Sequence, residues 1–392
     1  MTFSTRAACA ALLTALFAAA PAGAADPVKI GMITTLSTAG GYLGEDVRDG
    51  FRLAMDEEGG KLGGVPVQLL VEDDNLKPAN GKQIADKFIL QDKVKLLTGM
   101  IYTNVALATV PQILESGAFY ISPNSGPALY AGKGCNKNFF AASWQTDNLF
   151  EAPGHYATTL GFKRMALVAP NYPGGKDAMT GFKRYYKGAV VEEIYTTLDQ
   201  TDYSAEIARL RASNADALFY FLPGGLGINF IKQFTQAGMK DRMKVVLPEV
   251  SLEERVVSAT GNDTLGLYGT AHWVATLPFP ANVKFVKEFR AKYHRDPTPY
   301  ASQGYDTAKL IGSGLRAVNG DLSKGDAFRA ALKRADFAST RGSFKFNNNQ
   351  FPIQDWYSTR VVKGSDGKLK IVTIGRILKD LKDVYASQCP MT

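Results

Sequence analysis

The segment VKIGMITTLSTAGGYLGEDVRDGFRLAMDEE, residues 28–58, decides the fold class of this chain. It begins with an apolar run at residues 28–33, passes through a loop rich in glycine and hydroxyl side chains, and ends in a helical pattern at residues 43–57. A buried strand that leads through such a loop into a helix is typical of a parallel sheet covered by helices. The segment therefore predicts an α/β protein.

The same alternation of strand and helix occurs in two successive units. Strands of the first unit are predicted at residues 28–33, 65–71, 94–98 and 119–122. Strands of the second unit, which begins after Trp144, are predicted at residues 165–169, 189–195, 217–222, 244–247 and 267–271. Helices are predicted between them at residues 43–57, 78–90, 105–115, 178–186, 204–211, 227–237 and 252–260. Because a chain of 392 residues exceeds what one core usually supports, two doubly wound lobes with parallel central sheets are expected.

The last third of the chain is expected to cross between the lobes. Helices predicted at residues 283–293 and 300–318 return to the first lobe, and a hairpin at residues 354–362 and 369–372 lies on the second. The predicted first lobe is residues 26–145 with 274–353, and the predicted second lobe is residues 146–273 with 354–392. Several crossings make a hinge, and a hinge between two lobes makes a ligand cleft.

The first 25 residues have the pattern of a secretory signal peptide. Arg6 is the only charged side chain before Asp26, an apolar run follows at residues 7–20, and small residues occupy positions 22–25. This run is shorter than the roughly 20 residues that a membrane-spanning helix needs. Export to the periplasm, with removal of residues 1–25, is therefore predicted.

Export also bears on the cysteines. Cys135 and Cys389 are the two that remain after the signal segment is removed. An oxidising compartment allows such a pair to form a disulfide, which is the expectation here. The alternative is two unconnected thiols, each buried as a small apolar side chain.

Composition and motifs argue against several other classes of protein. The net charge of +8 is spread along the chain without a Lys/Arg block, so nucleic-acid binding is not expected. His155, His272 and His294 lack metal-ligand spacing. The glycine pattern GSGLRA at residues 312–317 fits a dinucleotide motif but lies inside a predicted helix, which leaves a Rossmann-like enzyme as the weaker alternative. A monomer without cofactor, metal or catalytic activity is predicted.

Candidate ligand-binding residues come from the loops that follow the predicted strands, because ligands of open α/β sheets bind there. The loops are TTLSTAGGY at residues 34–42, GMIYTN at residues 99–104 and ISPNSGP at residues 121–127. Thr103 and Ser125 offer hydroxyls beside a helix start, whose partial positive charge favours a carboxylate. The alternative is that Thr103 or Asn104 is only a helix N-cap, which takes the same residue types.

Together with further short segments, these loops resemble the leucine/isoleucine/valine-binding family of type I periplasmic binding proteins. The other segments are KIG at 29–31, DGFRLA at 49–54, EDD at 72–74, NYPGGKD at 171–177, LPE at 247–249 and QGYD at 303–306. The resemblance implies the two-lobed fold of that family and the solute-binding role in an ABC transporter, with its permease and ATPase as partners. A sensor kinase or chemoreceptor that reads the bound form is the alternative partner.

The resemblance also implies roles for individual residues. A ligand carboxylate is held at Thr103 and Ser125, Tyr172 contributes an aromatic contact from the second lobe, and Glu249 accepts an amino group. Trp273 matches an aromatic near a crossing between the lobes, and Tyr42 or Leu43 matches the first-lobe lid. The expected ligand-binding set is Tyr42, Tyr102, Thr103, Ser125, Gly126, Tyr172, Glu249 and Trp273.

Three of these residues have structural alternatives. In the alternative for Tyr172, its ring packs only on its own turn. In the alternatives for the other two, Trp273 is a core residue of the hinge and Glu249 caps the helix that begins near Leu252.

Two segments bear on the identity of the ligand. The loop PGGLG at residues 223–227 stands where amino-acid binders of the family often carry a tyrosine. Residues 172–188 resemble members linked to aromatic-acid breakdown, including a nitrobenzoate-associated branch. Aromatic side chains in the predicted set are suited to stacking on a ring. An aromatic acid is therefore favoured over a branched-chain or other apolar amino acid.

Overall fold

The structure is a computed structural model that describes residues 1–2 and 26–391. Nearly all of the predicted signal peptide lies outside the described residues. Every helix in the described part is too short or too polar to cross a lipid bilayer.

The first lobe is built on a six-stranded sheet. Its strands are β1 (Val28–Thr34), β2 (Lys61–Leu62), β3 (Val65–Asp73), β4 (Leu96–Thr98), β5 (Phe119–Ser122) and β6 (Phe139–Ala141). Their spatial order is β2-β3-β1-β4-β5-β6, and each neighbouring pair except β2–β3 is parallel. Helices α1 (Gly41–Asp56), α2 (Pro78–Asp86), α3 (Thr103–Glu115) and the short α4 (Ala128–Ala131) accompany it, with a π-helical turn at Lys87–Gln91 after α2. β1 is buried from Ile30 onwards, which explains its continuous apolar run.

The second lobe is built on an eight-stranded sheet. Its strands are β7 (Arg164–Pro170), β8 (Ala189–Thr196), β9 (Ala217–Tyr220), β10 (Lys244–Pro248), β11 (Tyr268–Ala271), β12 (Lys345–Phe346), β13 (Pro352–Lys363) and β14 (Leu369–Leu381). The order is β12-β13-β11-β10-β9-β7-β8, and β14 pairs with β13. Strands β7 to β11 are parallel, whereas β13 is antiparallel to both β11 and β14. Its helices are α5 (Thr146–Thr159), α6 (Pro173–Tyr185), α7 (Ser204–Ala212), α8 (Gly225–Gln236) and α9 (Glu254–Thr260).

Three later helices return to the first lobe. They are α10 (Pro280–Tyr293), α11 (Pro299–Val318) and α12 (Gly325–Arg334). α11 packs along α1, and two glycines permit the close approach, since a Cβ on Gly50 would lie 1.9 Å from the Ala301 carbonyl oxygen and one on Gly304 would lie 2.0 Å from that of Val47. The chain thus crosses between the lobes after β6, after β11 and after α12. The predicted α/β fold with two doubly wound lobes is confirmed, and the residue boundaries given for the lobes stay a prediction.

The predicted disulfide is present. Cys135, which follows α4 in the first lobe, is bonded to Cys389 near the end of the chain, with 5.6 Å between the Cα atoms. Four residues before Cys389, the hydroxyl of Tyr385 donates a hydrogen bond to Asp147 Oδ2 on α5 at 2.7 Å. The end of the chain is therefore attached covalently to the first lobe and by a hydrogen bond to the second.

Arg341 connects the crossings at the hinge. Its guanidinium donates to the carbonyl oxygens of Ala142 and Ser143, to Gln354 Oε1 at 2.8 Å, and to the buried carboxylate of Asp306 at 3.3 Å. The Arg341 side chain is only 7% exposed. It therefore joins the segment after β6, the helix α11 and the strand β13 in one buried cluster.

Replacing Arg341 by methionine is expected to destabilise the protein by roughly 3 kcal/mol, because removing one partner of a buried pair leaves the other charge uncompensated. Urea unfolding followed by circular dichroism measures the loss. Arg316→Met is the matched control, since Arg316 and Asp336 form an exposed pair whose removal changes stability by less than about 1 kcal/mol. Equal losses in the two variants would contradict the role given to Arg341.

Candidate functional site

A cavity lies between the lobes, at the carboxyl ends of β4 and β5 on one side and of β7, β9 and β10 on the other. The empty space between its lining atoms, including its mouth, is about 390 Å³. The lobes are closed on each other, since the ring centres of Tyr102 in the first lobe and Tyr172 in the second are 6.2 Å apart. This position is the one expected for a ligand of open α/β sheets.

Six aromatic side chains line the cavity. They are Tyr102, Trp144, Phe150, Tyr172, Phe221 and Tyr300. Tyr102 and Tyr172 face each other across the cleft with ring centres 6.2 Å apart, and Tyr172 is stacked on Phe221 at 6.3 Å with an interplanar angle of 26°. Leu43, Ile101, Leu149, Pro223 and Val250 complete the apolar lining. An apolar lining rich in aromatic side chains is suited to contact with an aromatic ring.

The polar part of the lining consists of uncharged side chains. Thr103 is the first residue of α3, so it lies at the positive end of the helix dipole. Ser125 follows β5, and its buried hydroxyl has no hydrogen-bond partner in the described part of the chain. Asn124 donates to Gln303 Oε1 at 2.8 Å, and Thr146 accepts from the Gly126 N–H at 3.2 Å. The unpaired Ser125 hydroxyl beside a helix start is an arrangement that favours an anionic ligand group.

Gly174 brings a second helix start to the same place. A Cβ at this position would lie 2.7 Å from the Tyr172 hydroxyl oxygen and 2.9 Å from Thr103 Oγ1. The lack of a side chain at Gly174 therefore leaves room for the beginning of α6 in the second lobe to approach Thr103 in the first. The positive ends of α3 and α6 meet at the polar part of the cavity.

The polar groups that line the cavity are uncharged hydrogen-bond donors and acceptors. Among the residues that line it, none carries a charged side chain. Burial raises the pKa of the Tyr102, Tyr172 and Tyr300 phenols above the ordinary value, so these groups keep their protons. An anion in the cavity would thus meet hydroxyl and N–H groups rather than a paired cation.

The structure brings together four of the eight predicted ligand-binding residues. Tyr102, Thr103, Ser125 and Tyr172 line the cavity, whereas the other four lie outside its lining. Tyr42 donates to Glu253 Oε1 of the second lobe at 2.9 Å. Gly126 contacts the segment that crosses between the lobes after β6, since a Cβ there would lie 2.2 Å from the Trp144 carbonyl oxygen. Trp273 is fully buried and donates from Nε1 to Asn282 at 2.7 Å.

Glu249 forms its contacts with hinge residues. Its Oε1 lies 2.5 Å from Nδ1 of His272, and its Oε2 accepts weakly from the Trp273 N–H at 3.4 Å. Burial raises the pKa of Glu249 well above its ordinary value and lowers that of His272, so both groups favour their neutral forms. The His272 ring packs between Trp144 and Trp356. The carboxyl group of Glu249 is thus held by its own neighbours and not directed at the cavity lining.

Sequence reasoning did not identify several lining residues. Trp144, Thr146 and Phe150 belong to the crossing and to α5, a helix that was not predicted. The predicted strand at residues 217–222 contains Phe221, whereas β9 ends at Tyr220. The predicted helix at residues 300–318 gives Tyr300 no role, but Tyr300 follows Pro299 at the very start of α11, where a side chain can face the cleft.

Metal binding has no support in the described residues, where no three His, Cys, Asp or Glu side chains are arranged to hold an ion.

Comparison with known proteins gives consistent results. Residues 27–368 match the periplasmic binding protein family. The Leu/Ile/Val-binding protein homolog 6 of Brucella melitensis is 30% identical over 364 residues, which cover 89% of this chain and 91% of the relative.

Solved structures agree with the sequence comparison. The solute-binding protein of an ABC transporter from R. palustris, in complex with benzoate, is 29% identical with a TM-score of 0.88 and covers 93% of this chain and 99% of its own. A solute-binding protein of an ABC transporter from Rhodopseudomonas palustris BisB5, in complex with 3,4-dihydroxybenzoic acid, is 26% identical with a TM-score of 0.84 and covers 92% and 99%.

Proposed function

This chain belongs to the periplasmic binding protein family, and we propose that, as the solute-binding component of an ABC transporter, it captures an aromatic carboxylate of the benzoate class. The observation that carries the proposal is the composition of the cavity. Six aromatic side chains surround it, neutral donors and two helix starts form its polar part, and no lining side chain is charged. A planar ring with one carboxylate matches each of these features.

Roles follow for the lining residues. The hydroxyls of Thr103 and Ser125, with the N–H groups at the start of α3, hold the carboxylate. Tyr102, Tyr172 and Phe221 hold the ring. Tyr42, Gly126, Glu249 and Trp273 shape and close the cleft without contacting the ligand.

A branched-chain or other apolar amino acid is the second candidate, favoured by the names of the Leu/Ile/Val-binding relatives. Its ammonium group would need a carboxylate, because an unpaired charge is costly in a closed cavity. Glu249 is the predicted partner, but it is bonded to His272 and does not line the cavity. The aromatic acid is the better fit for this reason, and the benzoate and dihydroxybenzoate complexes of similar proteins support it.

The remaining features of the proposal concern the setting of the protein. Residues 1–25 direct export to the periplasm, where the mature chain acts as a monomer. Binding is its whole activity, with no catalysis, cofactor or nucleic acid. The permease and ATPase of the transporter receive the ligand, and a sensor kinase or chemoreceptor is the alternative receiver.

A thermal-shift comparison of wild type and Glu249→Gln tests the proposed ligand. Benzoate at 100 times its Kd should stabilise either protein by about 2.7 kcal/mol, since a ligand that binds only the folded form shifts the unfolding equilibrium. Glutamine resembles the neutral carboxyl group expected at this position, so the benzoate affinity should change by less than about threefold. Stabilisation of the wild type by leucine alone, lost in Glu249→Gln, would establish the amino acid instead.

A further inference from the structure

An ion pair joins the lobes beside the cavity. Arg255, on α9 of the second lobe, donates from Nη2 to Asp46 Oδ1 on α1 of the first lobe at 2.6 Å. Its Nη1 lies 3.7 Å from Glu45 Oε2, and its guanidinium lies 4.9 Å from the centre of the Tyr42 ring. One side chain of the second lobe thus contacts three residues, Tyr42, Glu45 and Asp46, in the first two turns of α1.

A second contact runs through the same tyrosine. The Tyr42 hydroxyl donates to Glu253 Oε1 at 2.9 Å. Glu253 is the N-cap of α9, and its carboxylate also accepts from the backbone N–H groups of Arg255 at 2.8 Å and Val256 at 3.0 Å. The capping bonds hold Glu253 in place, so Tyr42 meets a fixed acceptor when the lobes close.

The first-lobe partner of the ion pair is satisfied independently of Arg255. Asp46 is fully buried, and it also accepts from Thr298 at 2.7 Å and pairs with Arg295 at 2.8 Å, both within the first lobe. Opening the lobes therefore leaves Asp46 with two partners and releases Arg255 to water. Such a contact can form and break reversibly, because neither state leaves a buried charge alone.

We propose that Tyr42, Asp46, Glu253 and Arg255 form an interlobe latch that sets the affinity for the ligand without contacting it. This inference rests on the proposed function, since it concerns the regulation of the same cleft. None of the four residues lines the cavity. Their effect is on the population of the closed form, and the apparent Kd equals the intrinsic Kd divided by that population. Loosening the latch lowers the affinity for every ligand of the cleft by the same factor.

Arg255→Gln and Tyr42→Phe test the latch, with Arg290→Gln as the matched control because Arg290 pairs with Asp296 within the first lobe alone. The Kd values for benzoate and for 4-hydroxybenzoate are measured by isothermal titration. Both should rise about tenfold in Arg255→Gln, both should rise by a smaller common factor in Tyr42→Phe, and neither should change in Arg290→Gln. Small-angle scattering at saturating ligand should give the same radius of gyration for all four proteins. Tyr42→Phe removes one hydroxyl and keeps the packing of the ring. It therefore tests the latch even if Arg255→Gln fails to fold.

Unchanged affinities in Arg255→Gln and Tyr42→Phe, or a loss confined to one of the two ligands, would overturn the latch. If leucine proves to be the ligand in place of the aromatic acids, the proposed function fails while the latch is still read from the leucine affinities of the same four proteins. Equal leucine affinities would then reject the latch as well.

Discussion

The double variant Thr103→Val/Ser125→Ala is expected to bind benzoate about 1,000-fold more weakly than the wild type. In the proposed complex each hydroxyl donates to the ligand carboxylate, and hydrogen bonds to a charged group contribute about 1.5–3 kcal/mol each. Together they account for close to 4 kcal/mol, since 1.4 kcal/mol corresponds to a factor of ten. Valine has nearly the shape of threonine and alanine lacks only the hydroxyl oxygen of serine, so these changes leave the walls of the cavity in place.

The matched control for this variant lies on the same helix. Thr109 of α3 is fully buried, its hydroxyl has no partner among the described residues, and it does not line the cavity. Thr109→Val should therefore leave the affinity for benzoate unchanged. Titration calorimetry of the three proteins decides the point, and an affinity of the double variant within about threefold of wild type would place the carboxylate elsewhere.

Removal of the disulfide by Cys135→Ser/Cys389→Ser is expected to lower the free energy of unfolding by about 5 kcal/mol. The bridge closes a loop of 254 residues, and the chain-entropy relation assigns a loop of that length a stabilisation of this order. Both cysteines are replaced together, so no free thiol remains to react. Urea unfolding of the oxidised wild type and of the variant measures the difference.

Reduction provides the control for the disulfide. Dithiothreitol should lower the melting temperature of the wild type toward that of the double-serine variant and leave the variant unaffected. Two thiols that react with Ellman's reagent in unreduced, denatured protein from the periplasm would show that the bridge does not form in the cell.

Much of the fold could be predicted because the strands of parallel sheets are buried on both faces. Their sequences become continuous apolar runs, as in β1 and β10, and the loops between them carry glycine and hydroxyl side chains. The last hairpin was found from the turn at residues 364–367, although β14 extends to Leu381, further than predicted. Local pattern was sufficient for these elements.

Other elements could not be found from local pattern. α5 contains Pro153 followed by Gly154, and both residues are unfavourable inside a helix. β6 has only three residues, and its place is fixed by pairing with β5. α12 was also missed, and its apolar face is small, with Phe328, Ala331 and Leu332 as its buried residues.

The residues of the site show the same difference between what a local sequence pattern predicts and what depends on tertiary contacts. Thr103 and Ser125 line the cavity, and both could be selected from the sequence because the rule that ligands bind beyond the carboxyl ends of parallel strands is local. Glu249 meets His272 of the neighbouring crossing, 23 residues away, and Tyr42 meets Glu253 of the other lobe, 211 residues away. The first contact depends on the pairing of β10 with β11, the second depends on how the lobes close, and no local pattern contains that information.

The most direct test of the central claim is a crystal structure of the mature protein grown with equimolar benzoate and leucine. Benzoate is expected in the cavity, with its carboxylate within hydrogen-bonding distance of Thr103 Oγ1 and Ser125 Oγ and its ring in contact with the Tyr102 and Tyr172 side chains. Leucine in the cavity, with its amino group on Glu249 released from His272, would contradict it.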